Sequence, residues 1–143
     1  MTFSSDMKRA AKNIALDTDR KYRAACLGVA NGVIKRTPVG NPSLWQSPPP
    51  AGYIGGTLRN AWRASIGTPS SDVGLEPDAG AGKARGTVSI ATSRLNAGED
   101  FFMANNMPYA KSIEEGSSTQ APQGMVAVTL SESGFNAERL MGG

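Results

Sequence analysis

Between positions 4 and 37 the chain contains no proline, and within that window Met7, Ala11, Ile14, Thr18, Tyr22, Ala25, Val29 and Val33 recur at steps of three or four. Such spacing lines one face of an α-helix, and here Ala10, Cys26, Ala30 and Ile34 widen the stripe. Ser4 or Ser5 supplies an N-cap, and Pro38 stops the run. The window predicts one helix of up to ~30 residues, ~45 Å long at 1.5 Å per residue. A break between Leu16 and Asp19 is the open alternative. Gly28 and Gly32, one turn apart, each weaken a helix by roughly 1 kcal/mol relative to Ala, which leaves close packing on a sheet or a bend as their reason. A helix this long needs a second layer to bury its stripe, and that requirement governs the reading of everything downstream.

At 143 residues the chain has material for a single domain with one core. It contains no His, which removes Ser-His-Asp and Cys-His nucleophile systems, histidine bases and nearly all zinc sites. Cys26 is the single cysteine, so no intramolecular disulfide forms. No apolar run approaches the ~20 residues that span a bilayer. Met1 to Asp6 lacks the apolar core of a signal peptide, so a soluble protein made in a reducing cytoplasm is expected. Charge is uneven: residues 1–36 carry eight basic side chains against Asp6, Asp17 and Asp19, a balance of +5, leaving −2 for the remainder of a chain whose net charge is +3. Two readings of that basic third stand side by side. One is a surface for nucleic acid, bound through phosphates; the other is the solvated face of a long helix. No base-reading motif or aromatic row accompanies it.

Beyond the helix, the Pro-rich segment 38–56 forbids a regular element through Asn41-Pro42, Pro48-Pro49-Pro50 and Gly55-Gly56. Its Trp45 and Tyr53 are either lids on the subunit's own core or, the favoured reading, anchors into a neighbour. Four β-like runs follow. They are Leu58 to Ile66 (whose start is read as possible helix), Gly86 to Thr92, Asp100 to Asn105 and Met125 to Leu130. Between the first two lies a polar Gly-rich loop, 67–86, expected to be mobile. Within it Gly80-Ala81-Gly82-Lys83 fails as a phosphate loop, because no Gly stands five positions before Gly82 and Ala84 replaces the required Ser or Thr. Glu99-Asp100 and Glu114-Glu115 are sequence neighbours that point apart, so neither forms a shared-proton dyad. Nothing reads as a catalytic, metal or cofactor site, and no enzyme activity is expected. Residues 131–143 form either a short amphipathic helix or a tail that orders on a partner.

The densest signal runs from Asn105 to Val126. Pro108 suits the start of a short helix at Tyr109–Glu115, Gly116 ends it, and Pro122 and Gly124 make a turn. The succession Asn105, Pro108-Tyr109-Ala110, Glu114, Gly116-Ser117, then Gln120-Ala121-Pro122 and Gly124-Met125-Val126 resembles a pattern in small proteins from the neck of tailed bacteriophages. These are called tail-completion, head–tail joining or minor tail proteins. A second passage agrees: Thr37-Pro38-Val39, then Gly55-Gly56-Thr57-Leu58-Arg59-Asn60-Ala61-Trp62, is similar to that family's TPV…TG-x-L passage. Here the insertion Asn41 to Ile54 separates its halves, and Ala61 stands where Ser is common.

The resemblance implies a structural virion protein, assembled in the host cytoplasm and located in the virion. It would form a homo-oligomeric ring of six copies, with twelve as the alternative, closed by heterologous contacts. Its partners would be the portal or head-completion adaptor and the tail terminator or tail tube. Double-stranded DNA would pass non-specifically through its lumen, and no membrane is involved. Trp45, Tyr53, Tyr109 and Glu114 are the candidate subunit or partner contacts. Glu114 is read as an inter-subunit or capping contact or else a solvated carboxylate, and Tyr109 as a core-edge aromatic. The mixed-charge loop with Asp72, Glu76, Asp78, Lys83 and Arg85 is the candidate lumen-facing or platform-facing element, with the basic helix on the outer or inter-subunit side. The expected fold is one α+β domain over 1–143. Its long N-terminal helix, with Trp62 beneath it, packs on a mostly antiparallel sheet of about four strands, and the short helix joins the last two.

Overall fold

One unbroken helix, α1 (Phe3–Arg36), opens the chain in the computed structural model, which describes residues 3–40, 55–116, 120–121 and 123–132. No break occurs between Leu16 and Asp19. The helix ends where Thr37 turns back: its N–H bonds Val33 O at 3.1 Å and its hydroxyl donates to the same carbonyl at 2.7 Å. Arg59 completes the stop, donating Nε to Thr37 O (2.9 Å) and Nη2 to Lys35 O (3.3 Å), so terminal carbonyls that a helix leaves unpaired find partners.

A short helix α2 (Thr57–Asn60) leads into strand β1 (Trp62–Ile66), and helix α3 (Gly82–Arg94) follows. Strand β2 (Phe101–Asn105) then pairs antiparallel with β1, Ala64 opposite Met103. Two short helices, α4 (Ala110–Glu114) and α5 (Val126–Glu132), complete the described chain. The architecture is therefore α+β, with one two-stranded sheet among the described residues.

Two of the four expected strands are helices. Gly86 to Thr92 lies inside α3, which begins at Gly82, within the segment read as loop. The alternation of Val88 and Ile90 suggested a strand, yet Val88 is fully buried and Ile90 is 56% exposed. The operative pattern is Ala84, Val88, Ala91 and Leu95, buried at steps of four, three and four. Val126 to Leu130 belongs to α5, and Met125, just before it, and Thr129, four residues on, are buried. Hence α4 joins β2 to a helix instead of linking two strands.

The core gathers Ala30, Val33 and Ile34 of α1, Leu58, Trp62, Ala84 and Val88, with Met107, Ala110, Ala121 and Met125 from the motif segment. Trp62 sits beneath α1 as expected, its indole N–H donating to the buried Thr37 hydroxyl at 2.7 Å. Helix α3 packs on both α1 and β1. The sheet explains how little of α1 is covered: five-residue strands extend only ~17 Å, against ~50 Å for a 34-residue helix.

Candidate assembly surfaces

The Asn105–Val126 segment is built around one carboxylate. Glu114, at the end of α4, accepts the N–H groups of Met125 (2.7 Å), Val126 (2.9 Å) and Ala127 (3.0 Å), the unpaired donors at the start of α5. Gly124 makes the approach possible: its φ is +90°, and a Cβ there would stand 2.5 Å from Glu114 O. Gly116, at φ +94°, ends α4 as its position suggested. Burial alone pushes the Glu114 carboxyl up, but the three backbone donors outweigh it and hold the pKa below the ordinary glutamate value. Of the readings of Glu114, capping holds, within the chain itself.

The two asparagines at the head of the segment tie it to the rest of the sheet. Asn105 donates to Leu58 O (2.9 Å) and accepts Met107 N–H (3.2 Å). Asn106 donates to Ser70 O (2.8 Å) and Asp72 O (3.0 Å), which brings the segment against the start of the 67–81 loop. Tyr109, read as a core-edge aromatic, is 44% exposed and presents much of its ring to solvent.

The 67–81 loop is tethered at several points. Arg63 is buried under it, its side chain only 3% exposed, and its Nε donates to Asp72 Oδ2 at 2.7 Å. That bond, ahead of the attraction itself, lowers the Asp72 pKa. Glu76 pairs with Lys83 at 3.6 Å, and Asn60 holds Glu76 O at 3.0 Å. Asp78 accepts Gly80 N–H (2.9 Å) and Gly82 N–H (2.8 Å), bonds that depress its pKa, the one to Gly82 most. The buried Asn60 takes the next two donors of α3, Lys83 N–H (3.1 Å) and Ala84 N–H (3.3 Å). Every early N–H of α3 is thus filled by this chain's own side chains, which removes the Gly-rich start of α3 as an anion site. Arg85 donates to Gly80 O (3.1 Å) and to Asn31 on α1 (3.5 Å). The five residues expected in this loop therefore lie together around the start of α3, each bonded within the chain.

Helix α1 supplies the third surface. The first contacts with the body are at Asp19, which accepts Ala97 N–H (2.7 Å), Tyr22, whose hydroxyl donates to Glu99 O (2.6 Å), and Arg23, which bonds Leu95 O and Asn96. Residues 7–18 are exposed on every side, Met7 by 57% and Ile14 by 68%. The expectation that the whole stripe packs on the sheet fails for this half, because the sheet is too short to reach it. Lys8, Arg9 and Lys12 stand on the same overhang.

Trp45 and Tyr53 lie outside the described residues, as does the 133–143 portion of the C-terminal segment. A Cβ on Gly55 would lie 2.8 Å from Gly40 O, so the two described residues that flank 41–54 meet. Sequence reading missed Arg59, Asn60 and Arg63, although the second resembling passage spans the first two; the tasks of Arg59 and Asn60 depend on contacts 16 to 24 residues away, and that of Arg63 on Asp72, nine residues on. A cleft of about 370 Å³ beside Lys35, Arg36 and Arg59 holds no acid–base pair suited to catalysis, since Arg59 is spent on carbonyls and Arg36 on Glu132. Among the described residues there is no cluster of metal-ligating side chains and no helix long and apolar enough to cross a membrane. Comparison with protein-family models, curated protein sequences and solved structures found no match to this chain.

Proposed function

We propose that this chain is a structural protein of the phage neck, forming a ring that joins the portal or head-completion adaptor to the tail and lets DNA pass. The observation that carries the reading is the segment from Asn105 to Met125. Its resemblance to neck proteins runs through residues that each hold a defined place in one compact device: Asn105 at the strand, Ala110 in the core, Glu114 on the α5 donors, Gly124 beneath it and Met125 buried. The exposed half of α1 supports assembly in particular, because apolar side chains such as Met7 and Ile14 gain stability when a partner covers them.

Six copies, or twelve, would close by heterologous contacts, with Trp45, Tyr53 and Tyr109 at subunit or partner surfaces. The tethered 67–81 loop faces the lumen or the platform, since its mixture of Asp72, Glu76, Asp78, Lys83 and Arg85 would guide a phosphate backbone without gripping it. The overhang of α1 lies on the outer or inter-subunit side. Cryo-electron microscopy of the assembled neck tests this arrangement. Density for six or twelve copies between portal and tail supports it; a virion lacking the chain overturns it.

The exposed, basic overhang favours a second reading, a nucleic-acid-binding protein that uses Lys8, Arg9 and Lys12. A gel shift by the free protein that weakens steeply with salt supports that alternative; absence of a shift at low salt removes it.

A further inference from the structure

Among the described residues, strand pairing leaves the outer edge of β1 closed and that of β2 open at Met103. Gly67 N–H donates to Asp100 O at 2.9 Å, so these opposed residues form a hydrogen-bonded pair. Antiparallel pairs alternate, which makes Ser65–Phe102 and Arg63–Ala104 the bonded pairs of the ladder. The backbone groups of Trp62, Ala64 and Ile66 then point away from β2, and those of Phe101, Met103 and Asn105 point away from β1. On the β1 side α3 closes the edge: Thr87 accepts the outward Ala64 N–H at 3.0 Å. On the β2 side the Tyr22 hydroxyl meets Phe101 N–H, while among the described residues nothing bonds the backbone of Met103.

Open edges are ordinarily blunted by Lys, Pro or a bulge, because they template pairing with another chain. Phe101-Phe102-Met103-Ala104-Asn105 has no charge, no Pro and no Gly. We propose that β2 is a docking edge for β2 of a second copy, paired antiparallel about a two-fold axis at Met103. The result is a four-stranded sheet, β1-β2-β2-β1.

The occupant follows from what the chain can offer. Of its two described strands, β2 alone keeps outward backbone groups, those of Met103, that no described residue bonds. Two-fold pairing sets Met103 against Met103 and Phe101 against Asn105 of the second copy, and all of these residues have outward backbone groups. Met103 N–H and C=O exchange two bonds across the axis, and Asn105 N–H reaches Phe101 C=O on each side. Charge selects the direction: antiparallel pairing carries the Glu99-Asp100 acids of the two copies to opposite ends, whereas parallel pairing would set them side by side. The inference goes beyond the neck reading. A two-fold pair reverses polarity and a ring wall has one polarity, so the pair is the form of the free protein, and its edge is released when the ring closes.

Met103→Pro gives a selective test in the full chain. Proline there deletes the outward N–H and leaves the β1 ladder its bonds, because Met103 lies opposite Ala64 in a non-bonded pair. Sedimentation velocity of the wild type over a hundredfold concentration range should show a monomer–dimer shift that Met103→Pro abolishes. Hydrogen exchange of the wild type is a second measurement that does not depend on the variant folding. The Met103 amide should slow by about tenfold or more as concentration rises, while the Ala104 amide, inside the ladder, stays protected throughout. A wild type that remains monomeric with a freely exchanging Met103 amide, or a dimer that persists in folded Met103→Pro, overturns the proposal.

Discussion

Glu114 accepts three backbone donors at once, and removing it leaves the start of α5 without partners. Glu114→Ala should cost about 2 kcal/mol, the upper range for an N-terminal cap with charge-assisted bonds. Glu114→Gln should cost less, since one amide oxygen still accepts. Because α5 is short, the loss should appear first as faster hydrogen exchange at Met125, Val126 and Ala127, then as a lower melting temperature. The sign with pH follows from the depressed pKa: the carboxylate's contribution is present above the ordinary glutamate range and is lost as pH falls through the folded value. An acid titration in which wild type and Glu114→Gln lose stability in parallel would show that the clamp contributes nothing to the pH dependence. This residue also shows what a sequence can convey. The motif made Glu114 worth singling out, but its partners, 11 to 13 residues on, are backbone groups that no side-chain pattern reveals.

Among the elements, α1 contains a controlled comparison. A Cβ on Gly28 would meet nothing within 4 Å, whereas one on Gly32 would stand 2.8 Å from Thr129 Cγ2 of α5 and 3.0 Å from Arg36 Nη1. Gly28→Ala should therefore stabilise the protein by roughly 1 kcal/mol, the helix-propensity gain. Gly32→Ala should destabilise it, because α5 must shift away from α1. Thermal melts of the two variants, moving in opposite directions, check the assignment. Close packing was one of two sequence readings of these glycines; it holds for Gly32, with a helix in place of a sheet as neighbour. The long helix itself was legible because thirty-odd residues of spacing reinforce one another. Strands β1 and β2 were legible from short apolar runs. Helices α3 and α5 were not, for a common reason. Their β-branched residues favour strands locally, and the groups that make them helices, Asp78 with Asn60 and Glu114, lie outside them.

For the whole molecule, the division of α1 into a packed half and a free half predicts separable effects. Deleting the chain up to Leu16 removes the exposed side chains of residues 7–16, so the melting temperature should move by no more than about 2 °C. The same deletion should abolish incorporation into particles if the overhang is a subunit contact. Quantifying the protein in purified virions decides the matter, and full incorporation would free the overhang from any assembly role.

The insertion can be tested in the same way. Gly40 and Gly55 already meet, so replacing residues 41–54 by a two-residue Gly-Ser linker should leave the body folded. Under the neck reading, loss of Trp45 and Tyr53 with that replacement should reduce tail attachment, scored as tailless heads by electron microscopy.

The closed base at Gly40 and Gly55 has a further consequence for engineering. Loop-closure entropy rises only slowly with length, each doubling adding roughly 0.6 kcal/mol. A site whose two ends already touch is thus a graft point, where a peptide tag or a small folded domain with adjacent termini can replace the native segment. Such a graft would carry a fluorescent or affinity label on the body without asking the core to move.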